Sequence, residues 1–198
     1  DKVEPVNQMI ETPDKANAVF MGGFVTEMNQ EHPDYPAMMF ANRMFGGDLK
    51  SRLWRRIRER EGFSYGVGSA FVASARSNFA QFMVQATCLP ANVPKVEAAF
   101  KDELAKLLKD GFSDDEVAAA KNTYLEERAL GRSQDAGLAR VLAQNAQFDW
   151  TMAREAELEQ KVSALTTAQL NAMVKKYLDP AAISYFKAGD FKKAGVAQ

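Results

Sequence analysis

The chain has 198 residues, of which 46% are hydrophobic and 26% charged, and 25 basic against 26 acidic residues leave a net charge of −1. This composition supplies one substantial hydrophobic core, and the balanced charge argues against nucleic acid as the main partner. Cys88 is the only cysteine, which excludes an internal disulfide framework, and no apolar run approaches the ~20 residues that a membrane helix needs.

The first predicted elements are a strand and a helix. Residues 16–28 form a mostly apolar run that predicts a strand buried on both faces, with Gly22 and Gly23 marking a bulge or a close approach. Pro36 then fits the first turn of a helix that stops at a glycine pair beginning with Gly46.

An arginine-rich helix follows the glycine pair. Asp48 is the predicted N-cap, and Gly62 is the predicted end. An apolar stripe at four-residue spacing indicates the buried face of this helix. Its members are Leu49, Leu53 and Ile57.

Two runs with a period of two residues come next, at residues 67–73 and 79–88. Their five-residue link predicts a hairpin and therefore antiparallel pairing. The second run places only apolar residues and one cysteine on one face, so we expect that face to be buried. These residues are Ala80, Phe82, Val84, Ala86 and Cys88.

The rest of the chain is predicted to be helical up to a final strand. An apolar stripe ends at Gly111, and capping-box patterns at Ser113 and Thr166 predict helix starts near residues 114 and 167. After Pro180, the run AISYFKAGD predicts a strand. This order predicts an α+β fold in one domain spanning residues 1–198, with an antiparallel β-sheet packed against a layer of helices.

Metal and nucleophile chemistry find little support in the sequence. A catalytic zinc site needs three protein ligands, whereas His32 is the only histidine and lies in a polar loop. Cys88 falls on the apolar face of a strand, where a buried inert thiol is expected. We therefore predict that this chain alone binds no metal and no cofactor.

The arginine-rich helix offers the remaining candidate site. A solvated helix face explains most of its five arginines. Arg58 and Tyr65 differ, because they flank the break between the helix end and the following strand. Both side chains are hydrogen-bond donors, so together they can hold a carbonyl oxygen or stabilise an oxyanion in an auxiliary role.

Residues 46–71, GGDLKSRLWRRIREREGFSYGVGSAF, resemble a segment of the insulinase-type (pitrilysin-type) zinc metallopeptidases. The shared features are the glycine pair, Ser-Arg-Leu, and an arginine and a tyrosine with six residues between them. The ending KKYLDPAAISYFKAGD also resembles the last helix, turn and strand of such a domain.

The resemblance implies the fold shared by LuxS and mitochondrial processing peptidase, with two homologous halves forming a clamshell. One half carries zinc on an HxxEH motif, and the other contributes the arginine and tyrosine, here Arg58 and Tyr65. This chain would be the second half, a C-terminal domain cut from a longer multi-domain chain and inactive alone. Its expected partners are the HxxEH-bearing domain, on the same or a separate polypeptide, and an unstructured peptide substrate. No association with a membrane is expected. Bacterial periplasm and cytoplasm both suit a soluble chain of this kind.

Two other hypotheses stay open. The same fold can serve as a non-catalytic scaffold, but a scaffold has no need of the Arg58 and Tyr65 pair. A helical adaptor could instead bind an acidic partner through the arginine-rich helix, and its binding would weaken steeply with salt.

Overall fold

The computed structural model describes residues 4–196. Its five strands form one sheet with the spatial order β1-β5-β2-β4-β3. The strands are β1 (Asn7–Glu11), β2 (Ala18–Thr26), β3 (Gly66–Ala73), β4 (Ala80–Cys88) and β5 (Ser184–Gly189). The α-helices are α1 (Tyr35–Asn42), α2 (Val93–Asp110), α3 (Asp114–Ser133), α4 (Asp135–Phe148), α5 (Met152–Ala164) and α6 (Thr167–Tyr177). Two π-helical segments also occur, Arg43–Gly47 and Trp54–Arg60, and the second is called the arginine helix below.

The α+β class is confirmed, and so is the hairpin of β3 and β4. β2 pairs antiparallel with both β4 and β5. The sheet is nevertheless mixed, since β1 pairs parallel with β5 at its edge. Strand β1 was not predicted from the sequence, because it is short and largely exposed and carries no run of alternating apolar residues.

One face of the sheet is buried against helix α2 and its neighbours. The ring of Phe100 in α2 lies 6.0 Å from that of Phe20 in β2 and 6.1 Å from that of Phe45, measured between centroids. The five inward residues predicted for β4 are all buried. Such aromatic and aliphatic burial is the main stabilising contribution to a sheet–helix interface.

The prediction that β2 is buried on both faces is wrong. Phe20 is fully buried, whereas Val25 on the opposite face is 62% exposed. No bulge interrupts the strand, because its pairing with β4 is continuous through Gly22 and Gly23. The close approach is confirmed, since a Cβ on Gly22 would lie 3.1 Å from the Tyr185 ring.

The helix boundaries agree well with the capping patterns. Ser113 Oγ accepts a hydrogen bond from the Glu116 amide at 3.3 Å, and Thr166 Oγ1 accepts one from the Gln169 amide at 3.2 Å. Both are complete capping boxes. Within residues 4–196, no helix combines the length and apolar character that crossing a bilayer requires.

The start of the arginine helix differs from the prediction. Asp48 does not cap it but accepts a hydrogen bond from the Lys50 amide at 2.7 Å, which forms a local turn. Ser51 Oγ instead accepts from the Trp54 amide at 3.4 Å. Leu49 therefore lies outside the helix and is 66% exposed, while the other two stripe residues are fully buried.

Candidate functional site

The arginine helix ends in a tight junction that leads into β3. Gly62 has a φ of +62°, a left-handed conformation that side-chain-bearing residues rarely adopt. The chain then reverses, and the Tyr65 amide donates to the carbonyl oxygen of Thr87 at 2.9 Å, which ties the junction to β4. The Tyr65 side chain is 58% exposed at this point, so its ring and hydroxyl are accessible to a ligand.

Arg58 and Tyr65 contact each other across this junction. The Arg58 Nε donates a hydrogen bond to the main-chain carbonyl oxygen of Tyr65 at 3.1 Å. The contact joins the Arg58 side chain to the Tyr65 backbone, and both residues are exposed. Both side chains are donors, and neither is a good general base. The arrangement can bind a carbonyl oxygen but cannot activate a water molecule.

The other arginines have different surroundings. Arg52 donates to Glu116 Oε1 at 3.0 Å and to the Gly111 carbonyl oxygen at 2.7 Å. Arg56 pairs with Glu61 at 3.0 Å and with Asp102 of α2 at 3.6 Å. Arg52 and Arg56 thus connect the arginine helix and the residues just before it to other segments, beyond the solvated role that the sequence suggests for most of the five.

The Arg52 contact changes the electrostatics of its partner. Burial raises the pKa of the Glu116 carboxyl, but hydrogen bonds from Arg52 and Ser113 lower it by more, so the net pKa lies below its ordinary value of 4.5. The ion pair is partly shielded, with side-chain exposures of 18% and 34%. Arg52 is thus a structural residue next to the candidate site.

Arg55 provides an internal comparison for Arg58. It lies on the arginine helix three residues before Arg58, and its side chain is exposed. No side-chain hydrogen bond or ion pair joins it to another part of the described chain. Arg55 is therefore the matched control for the contact that Arg58 makes with Tyr65.

A groove of about 510 Å³ opens directly after Tyr65 in the chain. Gly66, Trp54, Asp48, Met83 and Gln85 are among its lining residues. This groove was not predicted from the sequence. Small residues at alternate positions of β3 could have indicated it, because they leave one face of that strand without bulky side chains.

The sequence predicts that His32 is a loop residue and that Cys88 is a buried, inert thiol, and neither is expected to bind a metal. His32 lies half-buried in its loop, where Nδ1 accepts the Asp34 amide at 3.1 Å. Burial raises the pKa of the Cys88 thiol to about 11, so the reactive thiolate is disfavoured. Within residues 4–196, no group of three or more His, Cys, Asp or Glu side chains is placed to hold a metal ion.

Comparisons with known proteins identify the family of this chain. The family model described as "Peptidase M16 inactive domain" matches residues 3–124. An uncharacterized zinc protease of Streptomyces coelicolor is 34% identical over 95 residues, which is 48% of this chain and 20% of that protein. An uncharacterized zinc protease of Mycobacterium leprae is 28% identical over 144 residues, 72% of this chain and 32% of that protein.

A solved structure shows the same fold. The peptidase M16 inactive domain from Pseudomonas fluorescens superposes with a TM-score of 0.80 at 23% identity, over 94% of this chain and 43% of that one. At this identity the match shows the fold alone. The chain also spans about a third or less of the curated relatives it matches.

Proposed function

We propose that this chain, which belongs to the family of peptidase M16 inactive domains, is the substrate-binding half of a zinc endopeptidase that cleaves unstructured peptides. Its resemblance to the insulinase-type peptidases is confirmed by this membership. In the proposal, residues 1–198 form one C-terminal domain of a longer protein and act together with an HxxEH-bearing homologous domain.

The observation that carries the proposal is the contact between Arg58 and Tyr65. An exposed guanidinium fixed by its Nε to the Tyr65 carbonyl oxygen, at 3.1 Å, keeps its remaining N–H groups available to a ligand. Tyr65 is 58% exposed, and its hydroxyl is a further donor on the residue that Arg58 contacts. Donors held in place before the reaction stabilise negative charge that develops on a carbonyl oxygen.

The zinc and the attacking water would come from the partner domain. Relatives of this chain carry the name zinc protease, while no metal-holding cluster occurs among residues 4–196. A zinc ion on the partner would lower the pKa of its bound water and supply the nucleophile. Arg58 and Tyr65 would then bind the peptide backbone near the scissile bond.

The proposal is tested by reconstitution. The HxxEH-bearing domain, taken from the parent protein or from its separate subunit, is assayed on an unstructured peptide with and without this chain. We expect cleavage from the combined domains and little from either domain alone. Full activity of the HxxEH-bearing domain by itself would contradict the proposal and leave the scaffold hypothesis in its place.

A further inference from the structure

We propose that Asn92 is a positioning residue, which holds the junction between the arginine helix and β3 so that the Tyr65 phenol stays in one place. Asn92 ends a short 3-10 helix and directly precedes helix α2. Its Nδ2 donates a hydrogen bond to the main-chain carbonyl oxygen of Phe63, two residues before Tyr65, at 3.2 Å. The inference rests on the proposed function, because it assigns to Asn92 a role that acts through Tyr65.

The Asn92 side chain does not cap the helix that follows it. Asparagine is favoured directly before a helix, because its side-chain oxygen can accept from the backbone amide two or three residues later. The residue two positions later is Pro94, which has no amide hydrogen, and Asn92 makes no capping hydrogen bond. The side chain instead contacts Phe63, 29 residues earlier in the chain. Its contact therefore serves the junction and not the helix end.

The start of α2 holds Phe63 through a second contact. The Lys95 Nζ lies over the Phe63 ring, 5.7 Å from its centroid, which is within the range of a cation–π interaction. Phe63 is half-buried and packs against the core. The next residue, Ser64, is buried, whereas Tyr65 is exposed. The junction is thus fixed on its inner side by Phe63 and Ser64, and Tyr65 projects into solvent.

Asn92 makes one contact that the rest of the junction does not replace. Among residues 4–196, only its side-chain amide donates to the Phe63 carbonyl oxygen. Two main-chain hydrogen bonds hold other atoms of the junction and remain when this contact is removed. They are those from the Phe63 amide to the Ile57 carbonyl oxygen at 3.0 Å and from the Tyr65 amide to the Thr87 carbonyl oxygen at 2.9 Å. Removing the Asn92 donor should therefore loosen the junction without unfolding it.

Loosening the junction displaces the Tyr65 hydroxyl. The Tyr65 ring is exposed, so the backbone of the junction decides where its hydroxyl lies. Gly62 gives that backbone additional freedom, because glycine has no Cβ to restrict it. A displacement of about 1 Å by a substitution away from the chemistry can cost about a hundredfold in rate. A donor for a developing oxyanion therefore depends on contacts that fix it in advance, and Asn92 supplies one.

Amide hydrogen exchange of this chain, followed by NMR, tests the contact itself. Asn92→Asp keeps the size of the side chain and an acceptor suited to a helix start, but its carboxylate cannot donate to the Phe63 carbonyl oxygen. We expect the Phe63 and Tyr65 amides to exchange about fivefold faster or more in this variant, with an unchanged melting temperature. The Ser74 amide, which is bonded to the Phe79 carbonyl oxygen beyond the other end of β3, should exchange as in the parent. Unchanged exchange of the Phe63 and Tyr65 amides would overturn the inference.

Turnover in the reconstituted enzyme tests whether Asn92 acts through Tyr65. Asn92→Asp should lower kcat/KM about tenfold, mainly through kcat, because the phenol donor is displaced from the transition state. In a Tyr65→Phe background the same substitution should cost little, since no hydroxyl is left to position. Ala91→Asp adds the same charge at the exposed neighbouring residue and should match the parent. An equal loss from Asn92→Asp in both backgrounds would show a general structural role and contradict the inference.

The outcomes also separate this inference from the proposed function. If Tyr65→Phe impairs turnover and Asn92→Asp does not, the positioning role of Asn92 is overturned and the proposed function stands. If neither substitution changes turnover, the proposed role of Tyr65 fails, and the positioning role of Asn92 fails with it. If Asn92→Asp does not fold, Asn92→Ala takes its place in both measurements under the same expectations.

Discussion

The Arg58 Nε and the Tyr65 carbonyl oxygen lie 3.1 Å apart and form a hydrogen bond across the junction between a helix and a strand. The bond orients the guanidinium relative to the backbone that carries the exposed phenol. Only Arg58, among the five arginines of residues 52–60, makes this contact. The pair is thus distinguished from its neighbours by geometry as well as by spacing in the sequence.

Arg52→Ala should destabilise the fold. It removes the contacts to Glu116 and to the Gly111 carbonyl oxygen, and it leaves a partly buried carboxylate without its cation. Hydrogen bonds to charged groups contribute about 1.5–3 kcal/mol, so we expect a loss of about 2 kcal/mol after allowance for partial exposure. Urea unfolding measures it. Arg55→Ala should change stability by less than about 0.5 kcal/mol, and equal losses for both variants would contradict this account.

The Glu116 carboxyl should also make stability depend on pH. The pKa of this carboxyl is lower in the folded chain than its ordinary value of 4.5. The charged carboxylate therefore stabilises the fold fully above pH 4.5, and this contribution is lost as the pH falls through the lowered pKa. Glu116→Gln should therefore lose less stability than the parent when unfolding is compared at neutral pH and below 4.5. Parallel losses in the two proteins would show that Arg52 does not stabilise the charged carboxylate.

Asn171→Ala should uncouple helix α6 from the segment before α3. The Asn171 Oδ1 accepts from the Phe112 amide at 2.7 Å, and its Nδ2 donates to the Phe112 carbonyl oxygen at 3.0 Å. Removing both partners leaves two backbone groups of a buried residue unpaired, at a cost of about 2 kcal/mol or more. Thermal and urea unfolding measure the loss. Lys175→Ala, at an exposed position of α6, is the control, and a loss of the same size there would contradict the assignment.

Zinc should neither bind this chain stably nor stabilise it. The described residues place no cluster of metal ligands together, so zinc addition and chelator dialysis should leave the unfolding midpoint unchanged. Metal analysis after dialysis should give far less than one zinc per chain. Stoichiometric zinc, or peptide hydrolysis by the isolated chain that a chelator abolishes, would contradict the prediction.

Periodic and capping signals made most of the fold predictable. The alternation in β4 and the two capping boxes depend on neighbours within four residues, and all were confirmed. β1 was not predictable in this way, because its pairing partner in β5 lies far along the chain and its own residues are mostly exposed. Leu49 was misplaced because a turn at Asp48 and a later cap at Ser51 override its spacing.

The candidate site could be predicted only in part from the sequence. The positions of Arg58 and Tyr65 on either side of Gly62 indicated a junction, but the hydrogen bond between them needs the reversal that the backbone makes there. The roles of Arg52 and Arg56 depend on acidic residues of distant segments, Glu116 and Asp102. The groove also requires three separate segments to meet, which no local pattern encodes.

Tyr65→Phe is the most direct test of the central claim. The variant removes one exposed hydroxyl and leaves the ring, so its melting temperature should equal that of the parent. In the reconstituted enzyme, losing a donor to a developing oxyanion costs about 2.7–4 kcal/mol, which is a hundred- to thousand-fold loss in kcat. If the hydroxyl positions the substrate instead, the loss is smaller and is shared between KM and kcat. Arg58→Ala should lower kcat/KM similarly, while Arg55→Ala should match the parent. The account predicts impaired kcat/KM for both Tyr65→Phe and Arg58→Ala at unchanged folding, and unchanged kcat/KM for both would contradict it.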